Sequence, residues 1–156
     1  MFAKYGPVLV GIPLLILGVL WTFSPSMAAE ALTSELLTGA ALTTQIGDSA
    51  AFFLGSGFLL IAGGLRQNAT MVLIGGCLVG LVAPARIIAA SVHGGDMTLE
   101  PIIVEVVTFL VAYLAAKQLS SASSGQIDVD AYFRGFTLVT CALIQARNAC
   151  DARAHG

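Results

Sequence analysis

Two ionisable residues, Arg86 and Glu105, lie within long apolar segments of the sequence, where a charged side chain is rare and marks a candidate functional site. An arginine near the centre of a membrane helix costs roughly 2.5–3.5 kcal/mol on insertion scales. A guanidinium and a carboxylate at one depth form an ion pair, which either binds a polar ligand or fixes the register of two helices. We take Arg86 and Glu105 as the first ligand-binding candidates, with the structural role as the alternative.

Asp48 and His93 are the next candidates for the same site. His93 follows Arg86 by seven residues, about two helical turns, and therefore lies on the same helix face. Asp48 stands at the outer end of another apolar segment. Glu100 immediately precedes a proline, and a carboxylate at that place favours the start of a helix. The sequence thus predicts an outer-side polar cluster of Arg86, Glu105, Asp48 and His93, with Glu100 chiefly at a helix start.

Membrane helices must position these residues, because the composition is that of a membrane protein. The 156 residues are 57% hydrophobic and only 10% charged, whereas soluble domains carry about 25% charge. A helix needs roughly 20 residues to cross the hydrocarbon core, where open strand edges are not tolerated. Four stretches approach that length, at about 5–24, 48–65, 69–92 and 100–117. We predict an all-α integral membrane four-helix bundle over 1–118, followed by a flexible linker and a cytoplasmic tail over 119–156.

The third and fourth predicted spans form an antiparallel hairpin with a short outer loop. His93 marks the outer end of the third span, so Arg86 lies about 10 Å below the outer surface. Glu105 lies five residues into the fourth span. Because the two helices run in opposite directions, both side chains reach a similar depth, and we expect them to pair.

The basic residues indicate the orientation of the bundle. Lys4, Arg66 and the basic residues after the last span lie on one side, whereas the loops 25–47 and 93–99 contain no Lys or Arg and carry acidic residues. By the positive-inside rule both termini are cytoplasmic. The small size and plain helical hairpins suggest a bacterial inner membrane. The first apolar run also resembles a cleavable signal peptide, but its length favours a retained span.

Small residues predict where the helices approach one another. Gly76 and Gly80 form a G-x-x-x-G pattern in the third span, and Gly55 is one of several glycines in the second. We expect these faces to pack the second span against the third within one chain, with homodimerisation as the alternative. Pro84 deprives the carbonyl of Gly80 of its helical partner, which predicts a kink near Arg86.

Three segments outside the spans carry weaker signals. Residues 31–37 have a helical composition, which predicts a short surface helix in the first outer loop. The serine-rich run 120–125 is typical of a flexible linker. Residues 136–144 are apolar but too few to span a membrane. They predict either a short helix docked on the membrane or poorly ordered chain.

The sequence argues against several classes of function. A net charge of −2 leaves no basic patch for nucleic acid. The three cysteines form no C-x-x-C pair, which disfavours a thiol relay. His93 is the one histidine of the predicted bundle, so haem held by two histidines is not expected, nor is a metal site. Motifs for nucleotide binding and for serine hydrolases are missing.

Several short segments, taken in order, resemble those of the DUF4345-type membrane proteins, which look like relatives of the DoxX-like four-helix proteins. The matching segments are Leu32–Ser34, Asp48–Gly55, Ala85–Ile88 and Gly94–Asp96. The resemblance covers about residues 5–117. In that family an acidic residue opens the second span and an arginine stands late in the third, which Asp48 and Arg86 match. The resemblance implies an uncharacterised bacterial inner-membrane protein with a link to respiratory or quinone chemistry.

Two functional hypotheses follow from the sequence. The favoured one is a non-enzymatic accessory or assembly component, which contacts the lipid bilayer and either another membrane subunit or a second copy of itself. The alternative is a small-ligand binder or redox accessory, in which the polar cluster holds a quinone, a lipid headgroup or a small acid between the helices. Neither hypothesis involves nucleic acid.

Overall fold

The computed structural model describes residues 1–121 and, beyond them, the helical positions 131, 134–135, 137–138, 141–142 and 145. Within residues 1–121 the chain forms helices and contains no strand, which confirms the predicted all-α class for this part of the protein. The helices are α1 (Phe2–Phe23), α2 (Pro25–Ala31), α3 (Gly39–Leu65), α4 (Ala69–Gly80), α5 (Val82–Val92) and α6 (Leu99–Ser121).

Four segments of the described chain are long and apolar enough to cross a membrane, namely α1, α3, α4 continued by α5, and α6. α1 contacts α3 and α6, and α4 contacts the same two helices, so the four segments close into a ring. Leu60, Val72 and Ala112 are fully buried at its centre. Large apolar side chains such as Leu9 and Phe58 point outward. An apolar core with an apolar outer surface is the pattern of a membrane bundle, in agreement with the sequence.

Glycines bring α1 and α3 into backbone contact. A Cβ added at Gly57 would lie 2.7 Å from the backbone nitrogen of Leu15. A Cβ at Gly64 would lie 2.7 Å from the carbonyl oxygen of Lys4, and one at Gly18 equally close to the backbone nitrogen of Leu54. No larger residue fits at these points without moving a helix. Close approach of this kind compensates for the weak hydrophobic drive between helices in lipid.

The hairpin of α3 and α4 relies on Gly63, which is one of the second-span glycines that the sequence indicated, and on Gly75, which the sequence did not indicate. A Cβ at Gly63 would lie 2.8 Å from the backbone nitrogen of Val72, and one at Gly75 would lie 3.2 Å from the carbonyl oxygen of Ser56. The side chain of Asn68 caps α4 by accepting a hydrogen bond from the backbone N–H of Met71 at 3.1 Å. The turn between the two helices is therefore both tight and capped.

Gly76 and Gly80 pack on α6, and not on the second span as we predicted. Gly76 lies against Ala112, and a Cβ at Gly80 would lie 2.9 Å from the ring of Phe109. A Cβ at Gly55 would meet no atom of the described residues within 4 Å, so Gly55 has no packing role in this part of the chain. The reason is helical geometry, since adjacent residues such as Gly75 and Gly76 point to different neighbours.

The third span is interrupted near Pro84, where the sequence predicts a kink. α4 ends at Gly80 and α5 begins at Val82, with Leu81 between them. Pro84 is buried and has no N–H to donate to the carbonyl of Gly80. The break comes one helical turn before Arg86, at the level of the candidate site.

The first outer loop differs from the sequence prediction. The helix of this loop is α2, which starts at Pro25 and ends at Ala31, whereas we expected a helix over 31–37. Proline is favoured in the first turn of a helix, which explains the earlier start. Ala28 and Ala29 are buried against Trp21, and this contact fixes α2 on the end of α1.

α3 begins nine residues before the predicted start of the second span at residue 48. The side chain of Gln45 explains this extension, because it accepts a hydrogen bond from Leu37 N at 3.0 Å and donates one to the carbonyl oxygen of Glu35 at 3.0 Å. It thereby binds the loop onto the first turns of α3. Asp48 consequently lies well inside a helix and not at its beginning.

At the other end of the bundle, α6 continues to Ser121 and includes residues 119–121, which we assigned to the linker and tail segment 119–156. Ser121 donates a hydrogen bond from Oγ to the carbonyl oxygen of Gln118 at 2.9 Å, which satisfies one carbonyl of the last turn. The rest of the predicted linker and most of the apolar segment 136–144 lie outside the described residues.

Candidate functional site

The site is built on an ion pair between α5 and α6. Arg86 donates a hydrogen bond from Nε to Oε1 of Glu105 over 2.7 Å. The Glu105 side chain is 10% exposed and that of Arg86 is 33% exposed. The structure thus brings together the two residues that the sequence placed at one depth on adjacent helices. A charge-assisted hydrogen bond of this length is strong where water is scarce.

The second oxygen of the Glu105 carboxylate has no protein partner. Oε2 is buried, and among the described residues no donor lies within hydrogen-bond distance of it. Buried polar atoms are nearly always hydrogen-bonded, and an orphan acceptor is costly. Such an exception calls for a physical explanation, and a missing ligand group is one.

A cavity of about 530 Å³ opens beside the pair. Its size lies in the range of about 300–1,000 Å³ that is usual for small-molecule sites. All six helices contribute to its wall. The lining residues are Leu14, Leu17, Ala31, Leu32, Thr33, Phe52, Phe53, Val79, Val82, Arg86, Thr98, Leu99, Glu100, Pro101, Val104 and Glu105.

The wall of the cavity changes in character along its length. Thr33 and Thr98, in the loops before α3 and α6, and Glu100, in the first turn of α6, line one end of it. Leu14 and Val79, further along their helices, form its apolar part. Arg86 and Glu105 lie between these ends, so that a polar group at the ion pair would have both an apolar region and a polar rim beside it. This arrangement suits an amphiphilic molecule, since its chain and its head need different surroundings.

The cavity also opens at the side of the bundle, on the exposed face of α6. Val104 lines it and is 59% exposed, on the face of α6 that points away from the core. The neighbouring Ile103 is 60% exposed and does not line the cavity. A molecule could enter beside Val104 from the surrounding apolar phase without crossing the core.

Asp48 and His93 do not line the cavity. Asp48 is exposed on the outward face of α3 that also carries Ala51 and Gly55. His93 follows the last residue of α5 and is exposed at the end of the bundle. Within the described chain neither side chain has a hydrogen-bond or ion-pair partner. The predicted four-residue cluster therefore reduces to Arg86 and Glu105.

Glu100 contributes in two ways. It stands in the first turn of α6, as predicted for a helix-start carboxylate, where the positive end of the helix dipole favours it. It also lines the rim of the cavity, exposed to solvent. The negative charge at the rim comes from this side chain.

Sequence reasoning did not identify the aromatic wall of the cavity or its cover. The rings of Phe52 and Phe53 are in edge-to-face contact, with 5.1 Å between their centroids, and both residues line the cavity. Residues 31–33 cover it from the first outer loop. The sequence shows the two adjacent phenylalanines but does not show whether they point into the bundle. An apolar helix in lipid has similar residues on its inward and outward sides.

Trp21 lies directly behind the cavity wall. It is 1% exposed and forms a buried cluster with Ala28 and Ala29. Leu17, Leu32 and Phe53 pack against this cluster, and all three line the cavity. Its indole N–H has no acceptor among the described residues. As the single tryptophan of the chain, it is a natural optical reporter for this region.

The arrangement can bind and orient a molecule through one cation, one carboxylate and an apolar wall. Within the described residues, no three His, Cys, Asp or Glu side chains lie close enough together to hold a metal ion. Comparison of the chain with protein-family models, with curated proteins and with solved structures yields no match.

Proposed function

We propose that the protein binds an amphiphilic small molecule of the membrane, with the polar head at Arg86 and Glu105 and the apolar part along the helices. The observation that carries the proposal is the buried ion pair in the wall of a cavity of about 530 Å³. Among the ligand classes that the sequence suggests, quinones and small-headed lipids have the apolar part that such a wall accommodates. Small acids do not.

A role in fixing the register of α5 and α6 is the alternative for this ion pair. Register alone requires neither a cavity beside the pair nor an orphan carboxylate oxygen. Both features support binding, because a buried acceptor without a partner is costly and a cavity of this size is typical of small-molecule sites.

The proposed setting is the bacterial inner membrane, with both termini cytoplasmic. The distribution of Lys and Arg supports this orientation. We further propose that the protein is a non-enzymatic accessory or assembly component related to the DUF4345-type and DoxX-like proteins. The order of the Asp48–Gly55 and Ala85–Ile88 segments supports that relation. In this setting the cavity opens towards the periplasmic side.

Replacement of Val104 by phenylalanine tests the proposal. The larger ring should block the opening of the cavity beside α6 without disturbing the core, because Val104 is more than half exposed. We expect the wild-type protein, purified in mild detergent, to carry about one organic-extractable amphiphile per chain by mass spectrometry, and Val104→Phe to lose it.

Ile103→Phe is the matched control. It adds the same ring to the neighbouring residue, which is equally exposed but does not line the cavity. This variant should retain the bound molecule. If both variants carry the same molecules as the wild type, the amphiphile is ordinary annular lipid and the proposed function is wrong.

A further inference from the structure

The hydrogen bonding of Glu105 indicates that the ligand needs a hydrogen-bond donor. A carboxylate accepts hydrogen bonds at both oxygens and donates none. Oε1 accepts from Arg86, whereas Oε2 is buried and has no partner among the described residues. The group that completes this site must therefore donate a hydrogen bond.

The guanidinium of Arg86 indicates that the ligand also needs a hydrogen-bond acceptor. It carries five N–H donors, of which Nε is engaged by Glu105. In the described part of the chain, Glu105 is the one hydrogen-bond partner of the Arg86 side chain, and Arg86 lines the cavity. The terminal nitrogens can therefore donate to an oxygen atom of a ligand. The site presents an acceptor and a donor side by side.

The charges around the cavity disfavour an ionic head at this depth. A carboxylate ligand would meet Glu105 beside Arg86 and would pass Glu100 on the rim. An ammonium head would come against the guanidinium of Arg86. Since the ion pair is already neutral as a whole, no net charge remains to compensate a charged ligand, and burial of an uncompensated charge is costly.

We infer that the cavity selects an uncharged long-chain amphiphile whose head carries a hydroxyl group, the class of fatty alcohols and monoacylglycerols. The inference rests on the proposed function. A hydroxyl both donates and accepts, so it can donate to Oε2 of Glu105 and accept from a terminal nitrogen of Arg86.

Quenching of Trp21 fluorescence tests the inference on the wild-type protein. The probes are three molecules with the same dibrominated octadecyl chain and different heads: an alcohol, a methyl ester and a carboxylate at pH 8. The protein is reconstituted in phosphatidylcholine bilayers, whose headgroup has no hydrogen-bond donor. A probe in the cavity comes within one side-chain layer of Trp21.

We expect the alcohol to reach half-maximal quenching at about a tenfold lower mole fraction than the methyl ester, because a hydrogen bond to a charged group is worth about a factor of ten or more. The carboxylate should bind most weakly. Equal quenching by the alcohol and the ester, or preference for the carboxylate, would overturn the inference. The proposed function would survive such a result, provided that Val104→Phe weakens quenching and Ile103→Phe does not.

The failure of the proposed function would give a different result. In that case Val104→Phe and Ile103→Phe would leave quenching by all three probes unchanged, and the inference would be wrong as well.

Glu105→Gln adds a second test, because the amide replaces one acceptor by an N–H donor at the same size. We expect this variant to lose the preference for the alcohol over the ester, and an unchanged preference would contradict the assignment of Oε2.

Discussion

Replacement of Arg86 by leucine is expected to lower the free energy of unfolding by about 2–3 kcal/mol. Loss of one partner leaves the carboxylate of Glu105 without compensation in a site where its side chain is only 10% exposed. Fully buried pairs lose about 3–5 kcal/mol in such experiments. We expect somewhat less, since the Arg86 side chain is 33% exposed and water reaches part of the pair.

Unfolding in mixed micelles with increasing SDS content measures this effect. The double variant Arg86→Leu/Glu105→Leu should recover all but about 1 kcal/mol, because it removes both charges. Arg66→Leu is the matched control, since Arg66 is an exposed arginine in the turn between α3 and α4. It should change stability by about 0.5 kcal/mol or less. Additive losses from the Arg86 and Glu105 replacements would show that the two residues are not coupled.

The double variant also separates the two roles of the ion pair. If the pair only fixes helix register, the folded double variant should keep any molecule that co-purifies with the wild type. If the pair holds a polar head, the double variant should fold and lose that molecule. Stability and binding thus respond to the same substitutions in different ways.

Gly57→Ala is expected to be nearly as destabilising, by about 2 kcal/mol. The added Cβ would lie 2.7 Å from the backbone nitrogen of Leu15 and 3.0 Å from the carbonyl oxygen of Gly11. Both are main-chain atoms, so α1 and α3 must move apart and lose packing along their whole contact. Overpacking of this kind costs about 1–3 kcal/mol.

Gly55→Ala provides the control two residues away on the same helix. A Cβ at Gly55 meets no atom within 4 Å, so this variant should unfold at the same SDS content as the wild type, or at a slightly higher one because alanine favours helix. Equal destabilisation by both substitutions would mean that backbone flexibility, and not the close contact of α1 with α3, explains the result.

Composition and the spacing of apolar residues were sufficient to predict the four membrane segments. The finer boundaries were not predictable in this way, because they depend on tertiary contacts. α3 begins early because Gln45 binds the preceding loop, and α2 forms where Ala28 and Ala29 pack against Trp21. Such contacts join residues that have no periodic relation in the sequence.

The glycine contacts show a second limit. The G-x-x-x-G pattern of Gly76 and Gly80 correctly indicated a packing face, but a pattern on one helix does not identify its partner. That face meets α6, while the adjacent Gly75 meets α3. A difference of one residue is about 100° around a helix, which decides the neighbour.

The candidate site was predictable to the extent that burial of charge is costly. Arg86 and Glu105 were expected to pair because few other charged or polar side chains lie at their depth. The antiparallel hairpin places the two residues on adjacent helices. Asp48 and His93 were less constrained, because both side chains are exposed, Asp48 on the outward face of α3 and His93 just after the end of α5. The cavity has no sequence signature, because its wall is assembled from residues of all six helices, which lie far apart in the sequence.

The most direct test of the account is photolabelling with a diazirine-bearing octadecyl alcohol in phosphatidylcholine bilayers, followed by mapping of the labelled residues. We expect saturable labelling of the cavity wall, at residues such as Phe52, Phe53 and Val82. Unlabelled alcohol should displace this labelling, and Val104→Phe should abolish it. The apolar groove between α1 and α6, lined by Leu9 and Ile12, is an internal reference for ordinary lipid contact. Labelling of that groove alone, or labelling that no competitor displaces, would contradict the claim that the cavity is a binding site.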